Sequence, residues 1–252
     1  MARFASGPLS LAYDEIGTRG RPAILVHGFA SNRDENWRRL GWYGALERKG
    51  IRFAAFDCRG HGESDKPHDP EAYGREAMVG DVFALMDHLG AERADLVGYS
   101  MGARIVLAAG LAHPERVPLL VAGGVGGKLF DAAPPGNPMA AAMSAEDPDS
   151  ISEPLLKSFR QFADEQGQDR EALAACTRGL DFRLTREALG GLAVPTLVIA
   201  GARDELAGRP DDLAAAIPGA RAVTLPGCDH FSAISHGLFK ASTIDFLEGV
   251  LE

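Results

Sequence analysis

Mostly apolar runs of four to seven residues, interrupted only by Arg52, Asp95 and Thr196, recur along the chain at residues 23–26, 51–56, 94–97, 117–121 and 194–200. A run with no polar face predicts a strand buried on both sides, as in the interior of a parallel sheet. Between these runs the apolar positions switch to helical spacing. Residues 37–48 form one such segment, closed by Gly50, and residues 74–89 another, in which Met78, Val82, Leu85, Met86 and Leu89 share one stripe. Further helices are predicted near residues 101–109, 210–216 and 234–250. Two short runs at 4–5 and 9–13, joined by Ser6-Gly7-Pro8, predict an opening hairpin, and residues 222–225 a last strand. The alternation predicts an α/β protein: a mostly parallel, eight-stranded sheet with helices on both faces.

The alternation lapses between the sixth and seventh strands. Pro134-Pro135-Gly136-Asn137-Pro138 is a loop, and residues 139–145, 153–165, 170–177 and 185–190 have the pattern of short helices. We therefore expect a helical cap at residues 128–190, inserted into a core made of residues 1–127 and 191–252. Met139, Met143, Leu155, Leu156, Phe159 and Phe162 either face a pocket beneath this insertion or form its own small core.

Composition narrows the classes of function. With 252 residues, 46% of them hydrophobic, the chain can bury a substantial core. A formal net charge of −9 argues against nucleic acid and anionic membrane as partners. No apolar run approaches the ~18 residues of a spanning helix, and the first residues lack a signal-peptide core. The three cysteines, Cys58, Cys176 and Cys228, are too few and too widely spaced for a disulfide framework or a zinc site. The expectation is a cytoplasmic protein, monomeric or homodimeric, with no metal and no cofactor.

Chemistry enters at the strand ends. Gly98-Tyr99-Ser100-Met101-Gly102 joins a strand to a helix with a serine at the corner. Such a corner is crowded, so its flanking positions need glycine, and the helix that follows aims unpaired N–H groups and its positive dipole end at the serine. His27-Gly28-Phe29 follows the third strand, Asp204 the seventh and His230 the eighth. These positions supply a nucleophile, a loop of backbone N–H groups, a carboxylate and a base, which are the parts of acyl transfer.

With these features the chain resembles the α/β-hydrolase family over nearly its whole length. The resemblance rests on His27-Gly28-Phe29, Asp57-Cys58-Arg59-Gly60-His61-Gly62-Glu63-Ser64, the Ser100 corner, Gly201-Ala202-Arg203-Asp204 and Gly227-Cys228-Asp229-His230. It implies a Ser100–His230–Asp204 triad beneath a helical cap, with the backbone N–H groups of Phe29 and Met101 as the oxyanion donors. His236 is the rival base, and Glu205 and Asp229 are the rival acids. His27 is expected to buttress the oxyanion loop, Asp57, Arg59 and His61 to hold the loop after the fourth strand, and His68, His88 and His113 to lie at the surface. Within the family, haloalkane dehalogenases and epoxide hydrolases carry Asp at the corner, so Ser100 argues against both. The expected activity is hydrolysis of a small-molecule carboxylic ester through an acyl-enzyme. Alternatives are a lactonase, a carbon–carbon bond hydrolase, a cofactor-free perhydrolase, an amidase, or a receptor that binds a small ligand without turnover.

Overall fold

Side-chain parity along the central strands sorts the core into two layers. The computed structural model describes residues 2–132, 134–181 and 183–250. Among these, β1 (Ala2–Ser6), β2 (Leu9–Ile16), β3 (Ala23–Val26), β4 (Phe53–Phe56), β5 (Asp95–Tyr99), β6 (Leu120–Gly123), β7 (Thr196–Gly201) and β8 (Arg221–Leu225) form one sheet in the order β1-β2-β4-β3-β5-β6-β7-β8. The β1–β2 and β2–β4 pairs are antiparallel and the others parallel. Ile24, Val26, Leu96, Leu120 and Val198 point to one face, where α2 (Arg75–His88), α3 (Met101–Ala112) and α8 (Pro210–Ala214) cover them. Leu25, Val97, Val121 and Leu197 point to the other, under α1 (Trp42–Arg48) and α9 (Gly237–Leu247). This is the period-2 alternation of a strand with both faces buried, and it is why these strands are apolar throughout.

Three of the departures from the sequence expectation have a clear local reason. The predicted helix over residues 37–48 is interrupted. Gly41 adopts φ +79°, which separates a π-helical turn at Asp34–Arg38 from α1. The sixth strand begins at Leu120 rather than at 117. The Val117 N–H closes a 3₁₀ turn onto Pro114 (3.3 Å), and Pro118 has no N–H to give to a ladder. The closing helix starts at Gly237, after a 3₁₀ turn at Ala233–Ser235, because His236 is extended (ψ 136°) and its Nδ1 accepts the Leu238 N–H at 3.2 Å as an N-cap.

Between β6 and β7 lie α4 (Pro138–Ser144), α5 (Pro154–Glu165), α6 (Arg170–Gly179) and α7 (Arg186–Gly190). Side-chain caps start all four: Asn137, Glu153, Asp169 and Thr185 each accept first-turn N–H groups. Arg160 of α5 is buried and donates to the Ala142 and Ala145 carbonyls at 3.0 and 2.7 Å, satisfying the carbonyl end of α4. The insertion rests on the core through Gln168, which accepts the Gly62 N–H (3.0 Å) and donates to the Ser31 carbonyl (3.3 Å). Phe159 packs between Phe29 and Phe231, with ring centroids 6.1 and 5.3 Å away.

Candidate active site

The chain leaves β3 toward β4 on one side and later returns to β5 on the other. The crevice outside the carboxyl ends of β3 and β5 is therefore the switch point of this sheet, where open α/β folds bind ligands. Ser100 stands there. Its φ of +55° and ψ of −109° lie where non-glycine residues are rarely found, and its side chain is held up at the end of β5. Gly98 and Gly102 make this corner possible. A Cβ at 98 would lie 2.3 Å from the Gly102 carbonyl oxygen, and one at 102 would lie 2.0 Å from the Val26 carbonyl oxygen.

The loops after β7 and β8 bring the other two groups to the serine. The Ser100 hydroxyl lies 2.9 Å from His230 Nε2, and His230 Nδ1 lies 2.8 Å from Asp204 Oδ2. Asp204 Oδ1 accepts the N–H groups of Leu206 and Ala207 at 3.1 and 2.9 Å, which fixes the carboxylate plane. A Cβ on Gly201 would meet the Cys228 carbonyl at 2.3 Å, so glycine there lets the two loops approach closely. Tyr99, inside the serine corner, donates its hydroxyl to the His230 carbonyl and so ties the base to β5.

The rival residues are engaged elsewhere. Asp229 caps its own turn, accepting from Phe231 N, Ser232 N and Ser232 Oγ, and these bonds hold its carboxyl below the usual carboxylate range. Glu205 is exposed. His236 is the N-cap of α9. His68, His88 and His113 are exposed.

His27 is fully buried and satisfied on both nitrogens: Nδ1–H donates to the Gly28 carbonyl (2.8 Å) and Nε2 accepts the Cys58 N–H (2.9 Å). Burial pushes its imidazole down to about 4, so it is a neutral strut between the loops after β3 and β4. Asn36 Oδ1 accepts the Gly28 N–H at 3.2 Å and holds the same loop from the other side. Phe29 and Met101 both line the cavity above Ser100, and neither backbone N–H has an internal acceptor among the described residues. In the loop after β4, Asp57 accepts the Arg33 and Glu63 N–H groups at 2.7 and 2.8 Å, and Arg59 donates from Nε and Nη2 to the two oxygens of Asp81 (2.7 and 2.6 Å). His61 is buried beside His27, donates to the Arg59 carbonyl at 3.0 Å, and is pushed down to about 3 by burial. These residues hold the loop and stand back from the serine.

Two cavities, of about 340 and 280 Å³, flank the Ser100–His230 pair, and both are lined by Phe29 and Phe159. The larger adds Arg104, Met139 and the glycine-rich turn Gly124-Val125-Gly126. The smaller adds Glu35, Asn36, Phe162 and Phe231. Of the six apolar candidates in the insertion, Met139, Phe159 and Phe162 thus reach a cavity, whereas Met143 is buried in the insertion's own cluster. The sequence alone does not mark these roles for Tyr99, Asn36 and Arg104. Arg104 carried a signal all the same, since it lies four residues after the corner serine, one turn along the same helix face.

Comparison with known proteins shows the family. A family model described as alpha/beta hydrolase fold matches residues 22–177. The 2-hydroxymuconate semialdehyde hydrolase of Pseudomonas sp. (strain CF600) is 32% identical over 251 aligned residues, covering 90% of this chain and 87% of that protein. The structure of the enol-lactonase from Burkholderia xenovorans LB400 superposes with a TM-score of 0.83 at 28% identity, covering 98% of this chain and all of that one (100%). Epoxide hydrolase A of Mycobacterium tuberculosis (strain ATCC 25618 / H37Rv) is 39% identical over 109 residues, 43% of this chain and 33% of that protein. The chain belongs to the α/β hydrolase fold family, and hydrolase is the class of enzyme this defines.

Proposed function

We propose that the protein is a serine hydrolase of small carboxylic esters, cyclic esters included, working through an acyl-enzyme on Ser100. The observation that carries this is the continuous relay from Ser100 through His230 to Asp204, at 2.9 and 2.8 Å, set at the mouth of two cavities. His230 Nε2 takes the hydroxyl proton as Ser100 Oγ attacks the ester carbonyl. The resulting oxyanion sits against the N–H groups of Phe29 and Met101 at the positive end of α3. Asp204 accepts from Nδ1–H, holds the tautomer and stabilises the imidazolium. Collapse of the intermediate passes the proton from Nε2 to the departing alkoxide and leaves the acyl group on Ser100. Water, deprotonated by the same nitrogen, then attacks the acyl ester, which frees the acid and returns the proton to Ser100.

The helices inserted between β6 and β7 act in this scheme as a cap, with Phe159 as part of the roof. Their packing on Phe29 and Phe231 supports that role. The similarity to an epoxide hydrolase spans less than half of the chain, and a serine corner suits attack on a carbonyl rather than displacement at an epoxide carbon. A second reading, a carbon–carbon bond hydrolase, is favoured by the semialdehyde hydrolase that matches along 90% of this chain. The acidic surface supports a small molecule rather than a nucleic acid as the partner.

Turnover of 4-nitrophenyl acetate and butyrate by the wild type and by Ser100→Ala tests the proposal. We expect multiple turnover in the wild type and a loss of at least about 10³-fold in the variant, with an unchanged far-UV spectrum. Undiminished turnover in Ser100→Ala sinks the mechanism. A wild type that ignores simple esters and lactones but cleaves a vinylogous diketone moves the assignment to carbon–carbon bond hydrolysis.

A further inference from the structure

Among the described residues, the arginines carried deep into this molecule have anions beside them, with one exception. Arg33 lies among Asp14, Asp57 and Glu63. Arg59 is paired with Asp81, and Arg160 with Asp164. Arg104 is largely covered, and burial alone presses its guanidinium below the ordinary arginine value, with no carboxylate opposing the shift. Its backbone N–H bonds the Ser100 carbonyl at 3.2 Å, and among the described residues its side chain has neither a hydrogen bond nor a salt bridge.

Where Arg104 stands gives this a direction. A helix rises ~1.5 Å per residue with 3.6 residues per turn, so position 104 lies one turn from Ser100 on the same face of α3. Both open into the 340 Å³ cavity. The rest of that lobe is mostly apolar, walled by Val125, Leu129, Met139 and Leu180, with Thr177 beside them and, among the described residues, no carboxylate in its lining. A guanidinium facing an apolar lobe with no counter-charge is costly, and the cost is removed when an anion enters and accepts its forked N–H groups. Carboxylate matches that fork, and a volume near the low end of ligand pockets suits a short organic acid. The formal charge of −9 would otherwise repel an anionic substrate, so a local cation at this point is what admits one.

We propose that Arg104 is a carboxylate-binding subsite, and that the substrate is an anionic ester or lactone carrying a free carboxylate. That group lies in the Arg104 lobe, the reacting carbonyl is at Ser100, and the remainder is in the 280 Å³ lobe beside Asn36 and Phe231. The inference rests on the serine-hydrolase reading for the reaction, and on Arg104 alone for the charge of the substrate.

The test uses monomethyl adipate and its neutral counterpart methyl hexanoate. The readout is the ratio of kcat/KM for the half-ester to kcat/KM for the neutral ester, in the wild type, Arg104→Met and Arg104→Lys. We expect the wild type to favour the half-ester at least about tenfold. The ratio should fall about 10- to 100-fold in Arg104→Met, the worth of a charge-assisted hydrogen-bond pair, with part of it retained in Arg104→Lys. A second arm needs no turnover: calorimetric binding of monomethyl adipate to Ser100→Ala, and its loss in Ser100→Ala combined with Arg104→Met. An equal ratio in wild type and Arg104→Met overturns the inference while the serine mechanism stands. Absent turnover of both esters with Arg104-dependent binding overturns the ester reading while the subsite stands. No carboxylate binding to Ser100→Ala overturns the subsite.

Discussion

Asp204 spends its two oxygens on different tasks. Oδ1 is held by two backbone N–H groups and Oδ2 faces His230 Nδ1 at 2.8 Å. An Asp204→Asn variant keeps one acceptor for the loop and presents an NH₂ to the imidazole. The ring must then carry its proton on Nε2, where it can no longer accept from Ser100. We expect kcat to fall about 10³- to 10⁴-fold with the thermal midpoint within a few degrees of the wild type, checked by steady-state kinetics and calorimetry on one preparation. A fall of less than tenfold removes Asp204 from the relay. The approach of Ser100, His230 and Asp204 was legible in the sequence because each sits just past an apolar run, where a strand must end. Tyr99, Asn36 and Arg104 were less so. Their roles depend on which way a side chain leaves a helix or strand, and on what a loop far away in sequence places opposite it.

At the level of elements, the corner depends on how closely α3 approaches the end of β3. Any side chain at 102 would enter the Val26 carbonyl, which is backbone and cannot swing aside. Gly102→Ala should cost about 3 kcal/mol or more, read from urea unfolding. Gly80 is the contrast. It lies inside α2, and a Cβ there meets nothing within 4 Å. Gly80→Ala should raise stability by roughly 0.5–1 kcal/mol through helix propensity alone. Equal effects at the two positions would contradict the packing described. Element types followed from periodicity, whereas boundaries slipped where a single backbone group decided them. Pro118 delayed β6, Gly41 split the first helix, and His236 delayed the last. An apolar pattern carries through such a point, but the hydrogen-bond ladder does not.

For the molecule as a whole, acid is the informative stress. His27 and His61 lie fully buried, 5.2 Å apart by ring centroid, and burial pushes them down to about 4 and about 3. Unfolded, each imidazole gains a proton below its ordinary value of 6.5; folded, each stays neutral well below that. The unfolded chain therefore binds more protons in this window, and stability falls as pH drops from 6.5 toward 4, by on the order of 3 kcal/mol from His27 alone. Denaturant unfolding across that range should show a shallower fall in His61→Gln than in the wild type; identical slopes would mean the pair is not held neutral. No helix among the described residues is long and apolar enough to cross a membrane. Peptide mapping by mass after treatment with a fluorophosphonate locates the nucleophile. One adduct is expected, on Ser100, formed in step with loss of esterase activity and slowed strongly in His230→Ala. Full inactivation with the adduct on another residue, or unmodified Ser100 in an inactivated protein, would contradict it.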